Sequence, residues 1–160
     1  MRLSQAATLG VLLSLTLVLP ACGDESTSRS GQATAAPSGA RTASRSAADA
    51  GCRAQLRPFL GSMDTLREDL AVGLSYEDYL DELGEVQGAY DRIRVDRLPV
   101  GCLLVAAGPG ERALNRYIDA ANVWGDCLAT AACETESIER DLQRRWVLAS
   151  DLLSSAQSGL

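Results

Sequence analysis

The chain contains no histidine and no lysine, so all 15 basic side chains among its 160 residues are arginines. Without histidine there is no Ser-His-Asp or Cys-His pair, no two-histidine iron site and no H-E-x-x-H zinc site. The group that most often shuttles protons near neutral pH is missing with it. Without lysine there is no Schiff-base nucleophile and no phosphate-binding P-loop. Carboxylates and arginines are what remain for site chemistry, and their spacing matches no catalytic kit. The 21 acidic residues give a formal net charge of −6. That balance disfavours nucleic acid and anionic lipid surfaces as direct partners, because both are polyanions. The missing lysine, with one Phe, three Ile and two Asn, fits the codon bias of a high-GC genome.

A long hydrophobic run is also missing. Met1-Arg2 gives a short positive start, and the apolar stretch from Ala6 to Leu19 is interrupted by Thr8, Gly10, Ser14 and Thr16. It falls short of the roughly 20 residues that a bilayer-spanning helix needs, and so reads as a signal-peptide core. The stretch ends in Leu19-Pro20-Ala21-Cys22-Gly23, which resembles the lipobox of bacterial lipoproteins. Leu19, Ala21 and Cys22 match that pattern, while Pro20 stands where Ser, Ala or Thr is more usual. The resemblance covers the signal segment alone. It implies removal of residues 1–21, a diacylglyceryl group on Cys22 and residence on the extracytoplasmic face of the cell membrane. Two or three acyl chains, palmitate among them, anchor stably where one is marginal. Export also implies an oxidising compartment, in which the remaining cysteines form disulfides.

Residues 23–50 hold eight Ala, six Ser, three Thr and three Gly, and no large apolar side chain. Such a segment cannot offset the entropy of ordering itself. Residues 22–50 are therefore expected to form a disordered, lipid-anchored linker. Its charges cancel, and as a flexible coil it spans on the order of 30 Å root-mean-square.

From residue 51 onward apolar residues recur at three and four, the helical period, and no stretch alternates as a half-buried strand does. The expectation is an all-α domain over 51–160, an up-down four-helix bundle large enough for one core. The first helix, 57–72, carries Phe59, Met63, Leu66 and Leu70, with Pro58 in its first turn and Gly73 as its stop. Ser75 and Asp78 approximate a capping box for the second, whose stripe is Tyr76, Leu80, Leu83, Tyr90 and Ile93. The third, 100–127, aligns Cys102, Ala106, Ala113, Tyr117, Ala120, Trp124 and Cys127, and Gly108-Pro109-Gly110 must kink or break it. The fourth, 135–156, aligns Ile138, Leu142, Trp146, Ala149, Leu153 and Ala156.

Four cysteines beyond Cys22 allow three pairings. In an up-down arrangement Cys52 and Cys102 open helices that start at the same end, while Cys127 closes the third helix where Cys133 opens the fourth. Cys102 and Cys127 stand roughly 35 Å apart on one helix, far beyond disulfide reach. The expected bridges are Cys52 with Cys102 and Cys127 with Cys133. No C-x-x-C and no histidine offer them a metal or redox role.

Glu77, Asp78, Asp81, Glu82 and Glu85 crowd the start of the second helix. Ca²⁺ prefers a folded loop with converging oxygens, and no EF-hand pattern occurs. A solvated face complementing the helix dipole is the simpler reading. Gly84 and Gly88 lie near Glu77 and Asp81 on that outer side, where each costs about 1 kcal/mol relative to Ala. Glu77, Asp81, Gly84 and Gly88 are therefore the expected partner surface. Tyr90, Tyr117, Trp124 and Trp146 fall on core stripes, and the tryptophans are expected not to stack. Arg145 pairs with Asp141 one turn earlier, and Arg140 and Arg144 project outward. No cofactor or metal is implied. The expected role is a non-enzymatic binding or envelope-interaction module, meeting an envelope protein or a second copy of itself, with no nucleic acid involved. The alternative is a small-ligand or sensor domain with a pocket between helices.

Overall fold

The computed structural model describes residues 38–160, with side chains from residue 46 onward. The expected signal segment, the expected lipidation site Cys22 and the expected linker as far as residue 37 lie outside the described residues. The described residues form four helices: α1 (Ser38–Val72), α2 (Tyr76–Asp91), α3 (100–128) and α4 (Thr135–Ser158). A 3-10 turn, Val95–Arg97, leads from α2 towards α3, and no strand occurs among the described residues.

α1 begins earlier than the periodicity predicts. Residues 38–50, expected to belong to the disordered linker, are helical. Five of those 13 residues are Ala, the strongest helix former, and the packed turns that follow supply the costly nucleus from which the helix grows backwards. The segment lacks a core face but does not lack helix propensity. Pro58 consequently sits inside α1 rather than in its first turn. The bond it removes belongs to the Ala54 carbonyl. Ala54 and Pro58 are both exposed, so water can replace the missing donor. Gly73, at φ 112°, terminates the helix in a conformation that favours glycine. Ser75 then caps α2, its hydroxyl oxygen accepting the Asp78 N–H at 3.2 Å.

α3 runs through Gly108-Pro109-Gly110 without a break. Leu103–Ala107 forms a π turn between Val100–Cys102 and Gly108–Leu128, and the Gly108 N–H reaches back five residues to the Leu103 carbonyl. Placed directly before a proline, this widening accommodates the residue that cannot donate. The Val105 carbonyl, to which Pro109 has no N–H to donate, lies against the end of α4. A Cβ on Gly159 would overlap its oxygen.

α1 packs on α2 and α4, and α3 packs on α2 and, most extensively, on α4. The core is built on Leu56, Phe59, Met63, Leu66, Tyr79, Val86, Tyr117 and Leu153, all fully buried, and no charged residue is buried among the described residues. The buried stripe of α2 is Tyr79, Leu83, Val86 and Ala89, rotated from the expected one. Tyr76, Tyr90 and Ile93 lie on its margin, and Leu80 is 41% exposed. Both registers contain Leu83; the observed one spends Val86 on the core where the other spends the polar Gln87.

Two disulfides close the domain, Cys52 to Cys102 with Cα atoms 5.8 Å apart and Cys127 to Cys133 at 5.2 Å. Around the first, the Arg94 N–H donates to Gln55 Oε1 at 3.2 Å, and the Arg53 guanidinium donates to the Leu160 carbonyl. The start of α3, the end of α4 and the Cys52 turn of α1 are thereby drawn to one end.

Candidate functional site

Charge is distributed unevenly along the domain. No arginine occurs between residues 68 and 91 or between 117 and 139, whereas Arg92, Arg94 and Arg97 follow α2 closely. The sequence around Cys127 and Cys133 is therefore acidic, with Arg140 the next basic residue along the chain, whereas Arg53, Arg92, Arg94 and Arg97 lie close in sequence to Cys52 and Cys102.

Helical spacing puts the expected partner surface on one side of α2. Glu77, Asp81 and Gly84 are exposed and Gly88 is half-buried. A Cβ added to Gly84 would meet nothing within 4 Å, and one on Gly88 would touch only an Arg92 guanidinium nitrogen at 3.7 Å. Among the described residues nothing uses the room these glycines leave. Close approach occurs instead at three other glycines, of which Gly110 was expected only as part of a kink or break in the third helix. A Cβ on Gly110 would stand 3.0 Å from Leu60 and Phe59, one on Gly125 would overlap the Tyr76 hydroxyl, and Gly159 meets Val105 as described.

The carboxylates at the start of α2 do not converge. Ser75 holds Asp78 through its hydroxyl at 2.6 Å, and Glu82 turns instead towards Asp69 on α1. Glu82 Oε2 is shielded from solvent without a hydrogen-bond donor. Its pKa is raised, first by this burial and then by the Asp69 carboxylate beside it. No grouping of Cys, Asp and Glu among the described residues has the geometry to hold a metal ion.

On α4, Asp141 accepts from both Arg144 and Arg145, which hold its carboxyl below the usual range. Arg145 also reaches Asp119 of α3 at 3.8 Å, and Arg116 pairs with the same carboxylate at 3.3 Å. The expected surface pair is thus part of an α3 to α4 network.

The aromatic residues correct the sequence reading most. Trp124 and Trp146 are only half-buried, and they meet edge to face with ring centroids 6.1 Å apart and planes at 65°. They do not stack face to face, but the expectation had not foreseen that the two rings are in contact at all. Tyr79 joins them at 5.9 and 6.1 Å, and Tyr76 packs on Trp124 at 5.4 Å. The Trp146 indole N–H donates to the Tyr79 hydroxyl at 3.3 Å, which donates to the Tyr117 carbonyl at 2.9 Å. Burial keeps the Tyr79 phenol well above its usual range, so it stays a donor at every physiological pH.

Beside this cluster lies a groove of about 260 Å³ lined by Trp124, Trp146, Leu142, Glu136, Glu139 and Gln143, with Thr135 at its rim. Tyr79 is the residue that sequence reading missed here. A 4-3-4 spacing through Tyr79, Leu83, Val86 and Tyr90 was the available signal. The chain matches no protein-family model, no curated protein and no solved structure.

Proposed function

We propose that the chain is a lipid-anchored extracytoplasmic module that binds a protein partner in the cell envelope rather than transforming a substrate. In this reading residues 1–21 are removed, Cys22 carries the acyl chains, and the domain is an up-down four-helix bundle held off the membrane by its N-terminal segment. The cyclic neighbour relations, α1 with α2 and α4 and α3 with α2 and α4, support that topology.

The observation that carries the binding reading is the pairing of a filled core with an open, acidic α2 face. The largest core side chains are fully buried, whereas Gly84 leaves empty space on the outside of its helix. A helix that lacks a Cβ at an exposed, acidic position is suited to a backbone approaching from outside. One observation favours the small-ligand alternative, the groove beside Trp124 and Trp146, which is open and solvent-facing rather than enclosed between helices.

The test combines two measurements on the full chain in its native envelope. Palmitate labelling is expected in the wild type and absent in Cys22→Ala. A photo-crosslinking residue at position 84 is expected to give a discrete adduct. Gly84→Gln with Gly88→Gln should raise the melting temperature while abolishing binding of the partner so identified. Unchanged binding in that double variant overturns the α2 surface, and unlabelled wild-type protein overturns the anchor.

A further inference from the structure

Trp124 and Trp146 are the only tryptophans in the chain, and both form walls of the groove at the acidic end of the domain. Their orientation is fixed before any ligand arrives. Trp146 is tied through its N–H to Tyr79, and Trp124 is packed between Tyr76 and Tyr79. The rim carries Glu136 and Glu139, both exposed, and neither forms an ion pair among the described residues. The nearest arginines do not fill the role from within. Arg144 and Arg145 are held by Asp141, and Arg140, one turn beyond Glu136, makes no ion pair with it.

We propose that this groove is the seat of an arginine side chain from a protein partner. Two rigid indole rings set at an angle offer the π surface on which a guanidinium stacks, and the two carboxylates offer the charge that holds it. Guanidinium is planar and weakly hydrated, which suits flat aromatic walls better than the compact, strongly hydrated ammonium of lysine. At about 260 Å³ the groove is smaller than the roughly 300–1,000 Å³ typical of sites that enclose a whole drug-sized ligand. A single long side chain entering from a partner surface fits that scale. Because the walls are already fixed, binding loses little further side-chain freedom, the condition under which a small contact anchors an interface.

The inference deepens the interaction-module reading and rests on it. The adduct from position 84 and the titration below read different surfaces, so either can fail alone. The experiment uses the full chain and its intrinsic tryptophan emission; both tryptophans line the groove, and because Trp146 also borders a second groove against α1, the Glu136 and Glu139 variant below assigns the response. N-acetyl-arginine amide is expected to change the emission saturably. N-acetyl-citrulline amide, its neutral near-isostere, and N-acetyl-lysine amide should each bind at least about tenfold more weakly. Glu136→Gln with Glu139→Gln should weaken the arginine response by about tenfold or more, and added salt should weaken it further. Both glutamates are exposed, so an unchanged melting temperature will show that the fold is intact. An equal response to citrulline, or to lysine, overturns the assignment. So does the absence of a saturable response, or emission that changes with protein concentration alone, which would make a second copy the occupant.

Discussion

The Tyr79 hydroxyl donates to the main-chain carbonyl of Tyr117 at 2.9 Å while accepting the indole N–H of Trp146 at 3.3 Å. One phenol on α2 thereby joins α3 to α4 and fixes the ring that forms one wall of the groove. A fully buried hydroxyl without partners would be costly; this one has two.

Tyr79→Phe keeps the ring and removes both bonds. It is expected to lower stability by about 1–2 kcal/mol, the range for losing a partnered buried hydroxyl. The loss should appear in the denaturation midpoint with an unchanged denaturant slope. A variant as stable as the wild type would mean that the Tyr79 bonds add nothing net.

The glycines separate two roles that their residue type alone does not. Gly84 has open space around a prospective Cβ, whereas on Gly110 a Cβ would stand 3.0 Å from Leu60 and Phe59. Gly84→Ala should therefore stabilise by about 1 kcal/mol, the helix-propensity difference. Gly110→Ala should destabilise by about 1–3 kcal/mol through overpacking. Thermal melts giving the same sign for both would contradict this account of the α1 to α3 contact.

The existence of the helices, and the approximate extent of α3 and α4, were legible because the stripes of α1, α3 and α4 each keep one register over several turns. α2 was misread because Tyr76, Leu80 and Leu83 compete with Tyr79, Leu83 and Val86, and only tertiary packing chooses between them. The helical start of α1 escaped because the absence of a hydrophobic face was read as the absence of structure, although Ala favours the helix on its own. The π turn before Pro109 follows from main-chain hydrogen-bond geometry, on which side-chain periodicity is silent. The groove escaped for a different reason. Trp124 and Trp146 were placed correctly on their stripes, but a stripe position does not say how much of an indole remains outside the core.

The two disulfides should contribute unequally. Cys52 and Cys102 are 50 residues apart and Cys127 and Cys133 only six. Closure of the longer loop restricts the unfolded chain more, by about 4 kcal/mol against about 2 on chain-entropy arithmetic. Cys52→Ser with Cys102→Ser should thus lower the melting temperature more than Cys127→Ser with Cys133→Ser. Equal losses in calorimetry would show that local packing, rather than loop length, sets the contribution.

Two carboxylates should give opposite pH dependences. Glu82 is raised from its ordinary 4.5, chiefly by burial and then by Asp69, so the folded chain holds its proton more tightly than the unfolded one. Its contribution to stability is therefore present below pH 4.5 and is lost as pH rises through the elevated folded value. Asp141 is lowered from 3.8 by its bonds to Arg144 and Arg145. Its contribution is present above that pH and is lost as pH falls through the depressed folded value. Glu82→Gln should accordingly melt higher than the wild type at pH 7 and close to it at pH 3.5. Asp69→Asn should reproduce part of the gain, because it removes the facing charge. Asp141→Asn should melt slightly lower at pH 7, and its deficit should vanish in strong acid. Melting curves recorded across this range decide the matter: a Glu82→Gln profile running parallel to the wild type would mean that Glu82 carries no raised proton affinity in the folded chain.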